Sequence, residues 1–167
     1  MKKIFLTLLI SVLLSVFIQS TPDMGYSQQG NPLAILSATS GTVQILNVKG
    51  NVLNSGRRGT QIYPEQIVST SGGSACTIMF KDNSSVRLGA NSKILFSKVR
   101  VDSNRRRSVA VLRGEAFVEV VGGGNAEFTA CGPTAVAGVR GTGFFMQVAD
   151  DGSSKVVVTK GAVAVKS

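Results

Sequence analysis

The sequence has no histidine and no tryptophan, and only two of its 167 residues are cysteine. Without histidine, Ser-His-Asp and Cys-His nucleophilic arrangements are excluded, and so is the most frequent protein ligand of transition metals. Two cysteines and scattered carboxylates give no spacing typical of a zinc site. We therefore predict no catalytic residue, no metal site and no cofactor, and we do not expect an enzyme.

Glu115 and Glu119 are the one pair of carboxylates to consider as a general acid and base. On a strand they share a face about 13 Å apart, at roughly 3.3 Å per residue, whereas glycosidase pairs need about 5–9.5 Å. We expect both to face solvent, opposite a core face of Ala116, Val118 and Val120. A glycan-acting enzyme stays an alternative only if acidic residues from different strands come together in the fold.

Acidic residues are also scarce relative to basic ones: 9 Asp and Glu against 18 Lys and Arg give a net charge of +9. Several arginines cluster about the turn at residues 102–104, namely Arg100, Arg105, Arg106 and Arg107. Because guanidinium groups pair bidentately with phosphate and carboxylate, this cluster is a candidate patch for anionic cell-wall or glycan polymers. The alternative is a solvated loop that protects a strand edge from aggregation.

The N-terminus has the parts of a secretory signal. Lys2 and Lys3 precede an apolar run over residues 4–18, shorter than the roughly 20 residues of a membrane-spanning helix. Small residues allow cleavage after Ser20 or, preferably, after Ser27; the alternative is a retained anchor. We therefore expect a periplasmic or extracellular protein, without a stable membrane span after cleavage. Export also removes nucleic acid as a natural partner of the positive charge.

No long amphipathic helix is indicated after the signal; the hydrophobic period is two, and turn residues separate the apolar stretches. The predicted strands are residues 41–48, 66–70, 75–81, 84–88, 93–100, 108–113, 115–121, 126–130, 134–139, 143–149, 155–159 and 162–166. This pattern predicts a single all-β domain, an antiparallel β-sandwich, jelly-roll-like fold or β-roll. We divide the chain into a signal peptide (1–27), a flexible lead-in (28–37) and a β domain (38–167).

The two cysteines leave a disulfide open. Cys76 alternates in phase with Ile78 and Phe80 and should point inward, whereas Cys131 is out of phase with Phe128. These directions argue against a bridge, although an oxidising compartment would permit one. The alternative to a bridge is a buried small side chain at Cys76 and a separate thiol near a turn.

Motifs in the second half of the chain resemble the FecR domain, the extracytoplasmic module of FecR-type iron-transport regulators. Residues 128–144, Phe-Thr-Ala-Cys-Gly-Pro-Thr-Ala-Val-Ala-Gly-Val-Arg-Gly-Thr-Gly-Phe, are similar to the family pattern F-x-V-x-T-P-x-A-x-A-x-V-R-G-T-x-F. Weaker similarities occur in order at residues 41–43, 67–70, 78–88, 91–94, 112–120 and 156–165. The resemblance assigns structural roles to Asp82, Gly114, Pro133, Arg140, Gly141 and Thr142.

Several of these positions carry a specific expectation. Asn83 stands where the family usually has glycine, and asparagine tolerates the left-handed backbone of a turn. Gly141 indicates a backbone bend or a close strand approach. We expect Arg140 to hydrogen-bond neighbouring carbonyls or Glu115, with anion binding as the alternative. Gly132 replaces the usual threonine, which is expected to loosen that corner.

The resemblance implies a binding or sensing module that contacts an envelope protein partner in signalling. In the regulators this domain follows a cytoplasmic anti-sigma segment and a membrane span, and the sequence shows neither ahead of the signal peptide. Direct control of a sigma factor is therefore not expected. The other function left open is binding of an envelope polymer or carbohydrate through the basic patch.

Overall fold

The computed structural model describes residues 30–97, 107–121, 128–139 and 141–166. The predicted signal peptide lies outside these ranges. The described residues form strands and turns without a helix, which confirms the all-β prediction. The strands are β1 (Ala34–Ser40), β2 (Val43–Asn47), β3 (Val52–Ser55), β4 (Gln61–Ile62), β5 (Gln66–Thr70), β6 (Ala75–Phe80), β7 (Ser85–Leu88), β8 (Lys93–Phe96), β9 (Arg107–Glu119), β10 (Phe128–Cys131), β11 (Val136–Val139), β12 (Gly143–Val148), β13 (Ser154–Lys160) and β14 (Val163–Lys166).

The beginning of the described chain differs from the prediction. Strand β1 starts at Ala34 and pairs with β6 and β4, so residues 34–37 are not a flexible lead-in. Ala34 and Leu36 are buried while Ile35 between them is 43% exposed. Inward and outward residues alternate along β1. Because apolar residues occur on both faces, the pattern of polar and apolar residues in the sequence does not show this alternation.

Strand β9 belongs to two sets of strands. Its first half pairs with β8 and β10, and its second half pairs with β7 and β12. One set runs in the order β4-β1-β6-β7-β9-β12-β13, and the other runs β3-β2-β5-β8-β9-β10-β11-β14. The sequence predicted two strands, 108–113 and 115–121, where the structure has one long strand that passes from one set to the other.

The pairings are antiparallel with one exception among the described strands. Strand β10 runs parallel to the first half of β9, with Phe128 beside Arg107 and Cys131 beside Ala110. Parallel neighbours need a long connection. The second half of β9 forms part of that connection, because it lies in the other set of strands before the chain returns to β10.

Buried side chains from both sets of strands form one core. Its largest fully buried members include Phe96, Phe128 and Phe144. The ring of Phe80, from β6, contacts that of Phe128, from β10, edge to face, with centroids 5.6 Å apart and an interplanar angle of 85°. Since these strands belong to different sets, the contact joins the two sets within the core.

Candidate interaction surface

Most of the predicted anion-binding patch lies outside the described residues. Arg100, Arg105 and Arg106 fall in the gap between β8 and β9. Arg107 is the first residue of β9 and pairs with Phe128 of β10. The patch therefore stays a prediction.

Asp82 lies in the turn between β6 and β7 and organises it. Its carboxylate accepts hydrogen bonds from the backbone N–H (3.1 Å) and the hydroxyl (2.7 Å) of Ser84. Asn83 has a φ of 66°, as expected for a residue that replaces glycine in this turn. Ser84 Oγ in turn accepts from the N–H of Val121 at 3.1 Å, which ties the turn to the end of β9. The geometry supports a structural role for Asp82.

Gly114 marks the point at which β9 changes its neighbours. Its φ is +82°, and a Cβ built there would lie 2.7 Å from Ser92 Cα and 2.9 Å from the carbonyl oxygen of Asn91. Ser92 is buried, and its hydroxyl accepts a hydrogen bond from the N–H of Glu115 at 2.9 Å. The N–H of Ser92 donates to Thr70 Oγ1 at 3.0 Å. Only glycine allows β9 to come this close to the turn that precedes β8.

The corner before Pro133 is closed by a backbone hydrogen bond and packs against two side chains. Pro133 is exposed in the turn between β10 and β11, which the N–H of Gly132 closes on the carbonyl of Ala135 at 2.7 Å. A Cβ on Gly132 would lie 2.6 Å from both Met146 Cε and Ser154 Oγ. These are side-chain atoms, and the expected loosening of this corner by Gly132 stays a prediction.

Gly141 and Thr142 pack against the turn between β13 and β14. Gly141 has a φ of 58°, and its carbonyl oxygen lies 3.3 Å from a Cβ placed on Gly161. Gly141 therefore has a left-handed backbone and lies close to the turn that contains Gly161. Thr142 is buried, and its carbonyl accepts a hydrogen bond from Val120 at 2.8 Å. Arg140 lies outside the described residues, so its role stays a prediction.

The two cysteines occupy different environments and are not bonded to each other. Cys76 is 4% exposed and points into the core, as predicted from its phase, whereas Cys131 is half-buried on β10. Burial raises the pKa of the Cys76 thiol from 9.0 to about 12, and a backbone hydrogen bond with Leu88 offsets part of this rise. The folded protein therefore favours the neutral, protonated form of the Cys76 thiol.

This raised pKa predicts a loss of stability at alkaline pH. The Cys76 contribution is complete below pH 9.0 and is lost as pH rises towards about 12, because the unfolded chain releases the proton first. Above pH 9 the free energy of unfolding should fall by up to about 1.4 kcal/mol per pH unit from this group alone. Urea titrations at several pH values should therefore show a flatter dependence for Cys76→Ala than for the wild type. Cys131→Ala, which keeps Cys76, should retain the steep fall; parallel curves for all three proteins would contradict the assignment.

Glu115 and Glu119 face solvent, as predicted, and the alternate residues Ala116, Val118 and Val120 are buried. The N–H₂ of Gln147 donates to Glu115 Oε1 at 3.1 Å. Glu119 Oε2 lies 3.5 Å from the Arg87 guanidinium. Both carboxylates are thus engaged by neighbours on adjacent strands and form part of a wider surface.

We call this surface the β9–β12–β13 face. It consists of Glu115, Phe117 and Glu119 on β9, Gly143, Phe145 and Gln147 on β12, and Lys155, Val157 and Lys160 on β13. Directly opposed residues of neighbouring strands point to the same side of a sheet. The next residues along these strands, such as Val118, Phe144 and Met146, are buried, so the nine residues lie on the outer side.

The register arranges the face as three rows across the strands. The central row is Phe117, Phe145 and Val157, with the two rings half-buried and Val157 42% exposed. The flanking rows are Glu115–Gln147–Lys155 and Glu119–Gly143–Lys160. An apolar centre is therefore bordered by acids on β9 and by lysines on β13.

Arg87 of β7 continues the central row on the β9 side, where the two flanking rows end in glutamates. It pairs with Phe117 in register, and its guanidinium carbon lies 5.5 Å from the centroid of that ring. This cation–π contact helps to fix the position of the Phe117 ring on the outer side of the sheet. Lys155 and Lys160, at the opposite side, are exposed and have no ion pair among the described residues.

The sequence indicated only part of this face. Glu115 and Glu119 were recognised as solvent-facing, whereas Phe117, Phe145 and Val157 were missed. Phe117 alternates with the two glutamates, and Phe145 alternates with Gly143 and Gln147, so the period of two placed both rings outward. The alignment of the rings across strands depends on register, which local alternation does not specify.

The described residues show no group of three potential metal-ligating side chains from His, Cys, Asp and Glu. Asp150 and Asp151 lie in the turn between β12 and β13. The N–H of Ser153 donates to Asp151 Oδ1 at 2.8 Å, and hydrogen bonds from Ser153 lower the pKa of the Asp151 carboxyl. Within the described ranges, the chain has no helix with the length and hydrophobicity needed to cross a membrane.

Comparison with known proteins gives one family and one fold. A family model described as FecR protein matches residues 66–164. Two crystal structures, at 1.65 Å and 2.50 Å resolution, of a proposed anti-sigma factor from Parabacteroides distasonis match with a TM-score of 0.52 and 23% sequence identity. These matches cover 59% of this chain and 46% of that protein, so the shared fold extends over less than half of the solved chain. No curated protein matches.

Proposed function

Since the chain belongs to the FecR protein family, we propose that its β domain is a non-catalytic binding and sensing module of the cell envelope. It acts in signalling by contacting a protein partner, and the contact is made through the β9–β12–β13 face. The observation that carries this assignment is the outward row of Phe117, Phe145 and Val157 in a surface otherwise edged by charged residues. The predicted signal peptide supports a periplasmic or extracellular location.

The composition of the face fits protein recognition. Protein interfaces combine an apolar, aromatic centre with a polar rim, and aromatic anchors dominate their binding energy. Phe117 and Phe145 supply such a centre on two hydrogen-bonded strands, which hold the rings in fixed positions. Glu115 and Glu119 on one side and Lys155 and Lys160 on the other supply a rim that can orient a partner by charge.

The solved protein of similar fold is described as a proposed anti-sigma factor. A role in signalling for this chain is consistent with that description. Because the similarity extends over 46% of that protein, we do not include direct control of a sigma factor in the proposed function.

Site-specific photocrosslinking tests the proposed contact. The photoreactive residue p-benzoylphenylalanine replaces Phe145 in one variant and Leu53 in the control; Leu53 is 51% exposed on β3, in the other set of strands. After irradiation of producing cells, we expect an envelope-protein adduct of defined mass from position 145 and none from position 53. The same adducts at both positions, or no protein adduct at 145, would contradict the proposal.

The alternative function, binding of an anionic envelope polymer, would give a different result in the same cells. Its support is the net charge of +9 together with the arginine cluster. It predicts co-sedimentation with cell-wall material that salt weakens and that replacement of Arg105, Arg106 and Arg107 with serine abolishes. Such sedimentation, without a protein adduct at position 145, would replace the protein partner with a polymer.

A further inference from the structure

Strand β13 is the longest unpaired edge among the described strands. It has seven residues and pairs with β12 on one side only. The other described edges are shorter, with four residues in β3, two in β4 and four in β14. A long strand edge presents unpaired N–H and C=O groups that can template pairing with another chain.

The hydrogen-bond pattern identifies the unpaired groups. The N–H of Ala149 donates to the carbonyl of Ser153 at 3.0 Å, which makes these residues a hydrogen-bonded pair at the start of the hairpin. Hydrogen-bonded and non-hydrogen-bonded pairs alternate in an antiparallel ladder. Lys155 and Val157 therefore bond to β12, and the N–H and C=O groups of Val156 and Val158 point to the free edge.

The side chains of β13 are unusually apolar for an exposed edge. Val156, Val157 and Val158 are consecutive, and Val157 and Val158 are 42% and 43% exposed. Val157 also ends the central row of the β9–β12–β13 face, so an added strand would continue that row. Both the backbone and the side chains of this edge are thus arranged to receive an extended segment.

The charges of β13 indicate which segment it receives. Lys155 and Lys160 flank the valines and have no ion pair among the described residues. A second copy of β13 that paired antiparallel through the edge-facing groups of Val156 and Val158 would place Val157 opposite Val157. Lys155 of each copy would then lie opposite Thr159 and next to Lys160 of the other copy. Like charges brought together across strands are destabilising, and opposite charges are stabilising. A strand with acidic residues at these two positions fits where a second copy of this chain does not.

We propose that β13 is a strand-addition site for an extended segment of the protein partner, with acidic residues beside Lys155 and Lys160 and an apolar residue beside Val157. This inference rests on the proposed function, since it specifies how the partner engages one margin of the β9–β12–β13 face. The added backbone would bond to Val156 and Val158, which gives affinity, and the two lysines would set register and specificity.

Synthetic peptides test the edge without knowledge of the partner. Three nine-residue peptides share an alternating Val/Thr centre and carry glutamate, serine or lysine at the two positions that face Lys155 and Lys160; a fourth copies residues 154–160. At low salt we expect the glutamate peptide to bind about tenfold more tightly than the serine peptide. It should slow amide hydrogen exchange at Val156 and Val158 but not at Val157, while the lysine peptide and the copy of β13 should not bind.

A charge-reversed variant provides the matched control. K155E/K160E changes two exposed side chains without touching the strand backbone, and it should prefer the lysine peptide over the glutamate peptide. Equal binding of all peptides, protection at amides away from the edge, binding of the β13 copy, or no binding at all would each overturn strand addition at β13. A protein adduct at position 145 in the absence of peptide protection would reject the edge and leave the proposed function standing.

Discussion

Replacement of Gly114 with alanine is expected to destabilise the protein by about 2–5 kcal/mol, the sum of two costs. A left-handed backbone costs an alanine about 1–2 kcal/mol, and overpacking at a tight contact costs about 1–3 kcal/mol. The second cost arises because the new Cβ would lie 2.7 Å from Ser92 Cα and 2.9 Å from the Asn91 carbonyl oxygen, both backbone atoms. Urea denaturation of the two proteins measures the difference in the free energy of unfolding.

Gly50→Ala is the matched control for this prediction. Gly50 has a φ of +86°, close to the +82° of Gly114, but a Cβ there would have no neighbour within 4 Å. Its substitution should therefore cost only the backbone part, about 1–2 kcal/mol. Equal destabilisation by the two substitutions would mean that the contact between Gly114 and Ser92 does not constrain β9.

Replacement of Phe128 with alanine should have the other large effect, a loss of about 3–5 kcal/mol of stability. Phe128 is 1% exposed and contacts the Phe80 ring across the two sets of strands. Its removal leaves a cavity in the core beside Phe80, and the pairing of the surrounding strands limits how far the backbone can close it. The midpoint and slope of urea denaturation give the change in free energy.

Phe117→Ala serves as the comparison, since it removes the same ring from the outer side of β9. Phe117 is half-buried and contacts Arg87 at 5.5 Å, so its loss should cost about 1 kcal/mol. The prediction for Phe128 requires that the core substitution be the more damaging of the two. A similar loss of unfolding free energy for both variants would show that the contact between Phe128 and Phe80 adds little to the stability of the core.

Strand prediction succeeded best where apolar and β-branched residues stand next to a clear run of turn residues, as at residues 71–74, 81–84 and 150–153. Residues 66–70 were predicted with the bounds that β5 has, and the bounds of β6 and β12 differ by one residue at one end. The prediction failed at β1, where Ile35 is exposed between buried neighbours, and at β3, where Val52 and Leu53 are 56% and 51% exposed. Exposed apolar residues remove the contrast on which the period of two depends.

The functional features likewise fall into those that the sequence indicated and those that required the structure. The resemblance to the FecR domain came from the order of short motifs, and the family match at residues 66–164 confirms it. Asp82, Gly114 and Gly141 are explained by local contacts that hold turns and crossings. The arginine cluster was selected because its members lie close together about a predicted turn, and most of it lies outside the described residues. The β9–β12–β13 face depends instead on pairing between strands, since its two rings come from β9 and β12.

The sequence by itself determined the all-β class, the inward direction of Cys76, the outward direction of Glu115 and Glu119, and the family. Each of these follows from residues close together in the chain, through alternation, turn chemistry or motif spacing. The tertiary structure alone decided that β9 joins two sets of strands at Gly114, that Phe117 lies beside Phe145, and that β13 has a free edge among the described strands. These features depend on hydrogen bonds between strands distant in sequence, and a period of two says which side a residue faces but not which strand lies beside it.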